Sequence, residues 1–248
     1  MKVVMGFLLL VLSMSCYAKP LLFVGTEFHS ILETSKSGEI VGIGADIVYL
    51  MEQRLGHDIE ILVVPFKRAL QMVKDGTADG LIGPYKSQER EQYMQYTQQH
   101  IYEDPVYFYS KVASQIEWHG DYSLFKNKII AIVLGWFYGA EFESHRDSLY
   151  LSEVTNLDAS FKLLMANRVD LMIAHPRAVN WLLEQQGIQN EIKALQPAIA
   201  LNKGYFAFSK KLVNKKFIAQ FDSQLTAMAK SGELTKLVQK YPDIQFSN

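Results

Sequence analysis

Three sets of residues in this 248-residue chain could carry chemistry: six histidines, one cysteine and a run of three aromatics. His29, His57, His100, His119, His145 and His175 are scattered, and no two lie at i, i+4, the spacing that puts two imidazoles on one helical face for a metal. There is no HExxH, no Gly-x-Ser-x-Gly elbow, no phosphate-loop glycine motif and no cysteine cluster. No metal, cofactor or catalytic centre is therefore expected. The stretch "VLGWFYGAE" (133–141) is more informative. It reads as an apolar strand passing through Gly135 into a helix. The first N–H groups of a helix are free to hold an anion, and small or hydroxyl residues are usual there. Trp136, Phe137 and Tyr138 take that place instead. Successive positions at a helix start point in different directions, so the three cannot all face the same way.

Such a turn needs a framework to hold it. "PLLFVG" (20–25) is a continuous apolar run, as in a parallel strand covered on both faces. A glycine-bearing hairpin follows, then a helix with Ile47, Val48, Met51 and Leu55 as its apolar stripe and Gly56 at its end. "IEILVVP" (59–65), "KRALQMVKDG" (67–76) and "ADGLIG" (78–83) read as strand, helix and strand. Strands alternating with helices imply a parallel α/β sheet. The pattern recurs: "RALQMVKDGTADGLIG" and "SFKLLMANRVDLMIA" each end a helix at Gly76 or Asn167, and Asp79 or Asp170 opens a strand three residues later. Two such units suggest two lobes. The C-terminal segment sets Phe217, Ile218, Phe221, Leu225 and Met228 on one helical face, which suits packing rather than chemistry.

Composition bounds the partners. The formal net charge is −1 and there is no basic run, so no nucleic-acid partner is expected. Lys2, the apolar run Val3–Leu12 and the small-residue ending at Ala18 form a secretory signal, with cleavage expected after Ala18 and the product in the periplasm. A lipid anchor at Cys16 is the less favoured alternative, because Ser13 stands where such signals normally carry leucine. Cleavage removes the only cysteine, so the exported chain relies on its core rather than on disulfides.

The segment "GEIVGIGADIVYLMEQRLG…VVPFKRALQMVKDGTADGLIGPYKSQER" and the ending "GYFAFSKK…AMAKSGELTKLVQKY" resemble family 3 of the bacterial extracellular solute-binding proteins, the polar amino-acid binders of ABC importers. The resemblance implies a two-lobed α/β fold of periplasmic-binding-protein type II. Each lobe would be a mostly parallel sheet flanked by helices, with two crossover strands between them. Residues 19–104 and 203–248 would form one lobe and 105–202 the other. It implies a monomer that captures a small carboxylate-bearing ligand, without catalysis, and hands it to an inner-membrane ABC permease. Arg90 falls at the family's carboxylate-binding arginine, a role that suits a planar, permanently charged guanidinium. Gly83 and Tyr85 fall in the preceding polar loop, Glu27 and Phe28 at the wall near the first strand, and Phe66 and Arg68 in the next loop.

The second lobe departs from the family. Trp136, Phe137 and Tyr138 replace small hydroxyl residues, so one or two of them are expected in the cleft wall, stacking on a flat or apolar part of the ligand, and His175 stands where an aspartate would hold the ligand's ammonium. An imidazole cannot serve as that counter-ion. A plain α-amino acid is therefore expected to bind weakly. Two alternatives remain at this stage: a cleft enzyme of the cyclohexadienyl dehydratase type, with Glu27 or His175 as general acid, and an importer-independent ligand sensor.

Overall fold

In the computed structural model the chain is described over residues 19–188, 190–211 and 215–247, so the expected signal and Cys16 lie outside the described residues. Among the described residues no helix is long and apolar enough to cross a membrane.

The first lobe opens with β1 (Leu21–Gly25), followed by the hairpin of β2 (Glu33–Thr34) and β3 (Ile40–Val41). Then come α1 (Ile43–Leu55), β4 (Ile59–Val63), α2 (Phe66–Asp75), β5 (Gly80–Tyr85), α3 (Gln88–Glu91) and β6 (Met94–Tyr96). β1 lies parallel between β4 and β5, so Phe23 and Val24 are fully covered, which is why this strand is apolar throughout. Gly56 closes α1 in the left-handed conformation at φ 66.

The long β7 (Tyr102–Lys111) leads to a 3₁₀ turn at Tyr122–Phe125. The second lobe then runs β8 (Ile129–Val133), α4 (Ala140–His145), β9 (Tyr150–Val154), α5 (Leu157–Met165), β10 (Leu171–Ala174), α6 (Pro176–Gln186) and β11 (Ile192–Ala194). β12 (Ala200–Ser209), α7 (Lys215–Ser231) and α8 (Glu233–Val238) complete the chain.

β7 and β12 are the crossovers. Tyr102–Val106 of β7 pairs antiparallel with Ala200–Gly204 of β12. Further along, β7 pairs with β10 and β11, while β12 pairs with β5 and β6. The main strand order is β4-β1-β5-β12-β7-β10-β8-β9. Helix α7 buries Phe217, Ile218, Phe221, Leu225 and Met228 against the first lobe's core, the face read from the sequence.

The internal repeat is real at atomic level. Gly76 (φ 80) and Asn167 (φ 55) both take the left-handed conformation after their helices. Asp79 then accepts from the Leu22 N–H at 2.8 Å, and Asp170 accepts from the Ile129 N–H at 2.9 Å. Each aspartate thus ties the start of its strand to a parallel neighbour.

The turn after β8 differs from expectation. The helix does not open at Trp136. Residues 134–139 are irregular and α4 begins at Ala140. Gly135 and Gly139 bracket the aromatics at φ 80 and φ 109, values that side-chain-bearing residues rarely adopt. A Cβ on Gly139 would lie 2.5 Å from that of Ala200. The three aromatics sit in a loop pinned at both ends by glycine.

Candidate functional site

Arg90 is carried by the short α3, where the Ser87 hydroxyl accepts from the Arg90 backbone N–H at 3.3 Å. Its side chain points into the cleft and is only 5% exposed. Nη1 donates to the Tyr85 carbonyl at 2.8 Å, and Nη2 donates across the cleft to the Gly135 carbonyl at 2.8 Å. The guanidinium lies 5.3 Å from the centre of the Phe66 ring. Glu89 and Glu91 are not its partners, and no ion pair is formed by Arg90 among the described residues. Neutral carbonyls compensate a buried full charge only in part, so such a group favours an anion.

Around it the lobes enclose a cavity of about 30 Å³, enough for water but not for an amino acid as closed. Its walls are Thr26, Phe28, Ile31, Leu32, Phe66, Ile82, Gly83, Tyr85, Arg90, Tyr102, Trp136 and Phe137. They are mostly apolar and include no carboxylate. A groove of about 670 Å³ opens outward from Arg90, Trp136 and Phe137, past Lys67, Lys74, Glu89 and Arg146.

Seven residues singled out from the sequence line this cavity: Phe28, Phe66, Gly83, Tyr85, Arg90, Trp136 and Phe137. Four do not. Glu27 is exposed, and its carboxylate accepts from the Thr34 N–H (3.2 Å) and hydroxyl (2.6 Å). Arg68 is exposed on α2. Tyr138 is buried in the second lobe's core, its phenol oxygen accepting from the Val133 N–H at 2.6 Å.

His175 lies one layer behind the wall. It is 2% exposed, its ring stacked 5.9 Å from Trp136 and set edge-on 5.0 Å from Phe28. It caps α6: Nδ1 accepts from the Ala178 N–H at 3.3 Å, which assigns the neutral ring's proton to Nε2. Nε2 has no partner. Burial pushes its pKa down to about 4, with Arg177 adding to the fall and Asp104 opposing it. The ring is therefore neutral at ordinary pH, and its 3.6 Å approach to Asp104 is not an ion pair.

Sequence reasoning missed Arg177 and Asp104. Arg177 follows Pro176 at the start of α6, and Asp104 lies in β7. Both are almost fully buried. Arg177 grips Asp104 through Nε (3.3 Å) and Nη2 (2.7 Å), and its Nη1 donates to the His29 carbonyl of the first lobe. The guanidinium lies 4.3 Å from the Phe28 ring centre. The Tyr85 hydroxyl donates to Asp104 at 2.6 Å. Burial pushes the Asp104 pKa up, but His175, Arg177 and the hydrogen bonds from Arg177 and Tyr85 outweigh it and hold the carboxyl below its ordinary range. Since His175 is neutral above about pH 4, Arg177 and the hydrogen bonds do this near neutrality. Two adjacent acids, Glu103 and Asp104, inside the otherwise apolar run "YEDPVYFY" were the signal available for Asp104.

A model of the family described as bacterial extracellular solute-binding proteins, family 3, matches residues 24–243. No curated protein matches the chain in sequence. Among solved structures, a histidine kinase sensor domain with similarity to periplasmic binding proteins superposes with a TM-score of 0.81 at 13% identity, covering 92% of this chain and 98% of its own. The substrate-binding protein of an amino acid ABC transporter superposes at 0.74, with 21% identity and coverage of 90% and 99%. An ancestral arginine-binding protein bound to arginine superposes at 0.75, with 20% identity and coverage of 90% and 98%.

Proposed function

Since the chain belongs to the bacterial extracellular solute-binding proteins of family 3, we propose that it captures a small carboxylate-bearing solute between its lobes, with Arg90 as the carboxylate's anchor. The observation that carries this reading is the buried Arg90 guanidinium, held by two carbonyls and no acid. Carboxylate oxygens would take the place of the Gly135 carbonyl as the lobes part and close again around the ligand. Phe28, Phe66, Trp136 and Phe137 would cover its body.

We take residues 19–104 and 203–248 as one lobe and 105–202 as the other, a division supported by where β7 and β12 change partners. Export to the periplasm and delivery to an inner-membrane ABC permease follow from the same reading. A cleft enzyme would need a proton donor at the cavity. Glu27 is turned to Thr34 and the cavity lacks a carboxylate, which favours capture without catalysis. The test is a thermal-shift screen of the chain from Lys19 against carboxylates and amines of similar size. Carboxylates should raise the melting temperature. Stabilisation by amines alone would refute the reading.

A further inference from the structure

The guanidinium of Arg177 is engaged through each of its three nitrogens just behind the same cavity wall. It spans Asp104 on the crossover strand, the His29 carbonyl of the first lobe and the face of Phe28, itself a cavity wall. These are the contacts a ligand's cationic group would seek: a carboxylate, a carbonyl and an aromatic face. The chain supplies that cation itself. We propose that Arg177 is a built-in counter-ion that excludes ammonium-bearing solutes, so that the ligand at Arg90 is a carboxylic acid with an apolar body and no amino group. The proposal rests on Arg90 as the carboxylate anchor.

Charge balance supports it. Arg177 and Asp104 cancel, which leaves Arg90, among the described residues lining the inner cavity, as a buried charge with no ion-pair partner. A monoanion neutralises it, whereas a zwitterion buries a third cation beside the two guanidinium groups.

Most acceptors an ammonium would need are already committed, and the remaining ones, Thr26 and the Gly135 carbonyl that a carboxylate would free, are neutral and cannot serve as its counter-ion. Asp104 holds Arg177 and Tyr85, the Gly83 carbonyl holds the Tyr102 hydroxyl, and the Tyr85 carbonyl holds Arg90 and Tyr96. His175 cannot accept either, because Nδ1 caps α6 and Nε2 carries the proton. Of the two carboxylates in the outer groove, Glu143 is held by Arg146 at 3.1 Å, and Glu89 is exposed, where a pairing is weak.

The experiment is calorimetry on the chain from Lys19 with three matched pairs: 3-phenylpropanoate against L-phenylalanine, indole-3-propanoate against L-tryptophan, and 4-methylpentanoate against L-leucine. At least one acid should bind, and at least ~30-fold tighter than its amino acid, the low end of what an unpaired buried charge costs. Its affinity should be lost in Arg90→Ala. Equal or tighter binding of the amino acid, with Arg90→Ala still abolishing it, overturns the exclusion and leaves the anchor standing. Acid binding that survives Arg90→Ala removes the anchor and the proposal together. Failure of all three acids overturns the proposal. In Arg177→Met, checked by circular dichroism for a native fold, the gap between acid and amino acid should narrow because Asp104 is released. An unchanged gap in a folded Arg177→Met overturns the role given to Arg177. The pair comparison in the unsubstituted chain decides the ligand class whether or not that variant folds.

Discussion

Mild acid should destabilise this protein through His175. The ring is buried and caps α6 as the neutral form, with a pKa pushed from 6.5 to about 4, chiefly by burial. In the unfolded chain the same ring titrates near 6.5. Between these values the unfolded state binds more protons, so stability is fully present above about pH 6.5 and falls as the pH drops towards 4. At 1.36 kcal/mol per unit of pKa the full loss is about 3 kcal/mol, and about 2 kcal/mol of it falls between pH 7 and pH 5. Asp104 is held low and gives up its contribution only below that range. His100, also pushed down by burial, adds a loss of its own. The assay is therefore a comparison of urea unfolding at pH 7 and pH 5 for the parent and for His175→Asn. Asparagine keeps an N-cap acceptor and does not titrate. The void it leaves beside Trp136 and Phe28 lowers stability at both pH values, and the His100 effect is common to both proteins. The drop from pH 7 to pH 5 should therefore be smaller in the variant by about 2 kcal/mol. An identical drop in the two proteins would refute the account of His175 as a buried neutral cap.

Four further outcomes are expected. Arg90→Ala should weaken binding of the carboxylate ligand by about 2–5 kcal/mol, and Arg90→Lys should not restore most of it, because a point charge cannot reproduce the fork; calorimetry reads both. Tyr138→Phe should lower stability by about 1–3 kcal/mol in urea unfolding, since the buried Val133 N–H loses its acceptor, while ligand affinity is unchanged. Arg177→Met should lower stability by about 3–5 kcal/mol by leaving Asp104 buried and unpaired, and adding Asp104→Asn should recover part of that loss. Gly139→Ala should cost more than ~1 kcal/mol, from φ 109 and the 2.5 Å approach to Ala200, and should weaken ligand binding by displacing Phe137.

Much of the fold was legible because its signals are local. The apolar stripe of α7, the left-handed positions at Gly56, Gly76 and Asn167, and the repeated aspartates after two helices all depend on residues close in sequence. The loop at 134–139 was misread as a helix start because its shape depends on Ala200, some sixty residues away, which leaves no room for a side chain at Gly139. In the cleft, Arg90 and the aromatics at 136–137 stood out by position and type, and both line the cavity. Tyr138 has the same chemistry as its neighbours, and only the Val133 contact turns it inward. The Arg177–Asp104 pair joins residues 73 positions apart, and nothing in either local segment names the other. Glu27 illustrates the converse: a carboxylate near the cleft in sequence is drawn away by the Thr34 hydroxyl.

The most direct test of the site is a crystal structure of the chain from Lys19 with the carboxylate that stabilises it most. The account predicts both carboxylate oxygens on the Arg90 guanidinium, the Gly135 carbonyl displaced from Nη2, and an apolar ligand body against Phe28 and Trp136, with Arg177 still on Asp104. A ligand bound elsewhere while Arg90 keeps its Gly135 contact would contradict it.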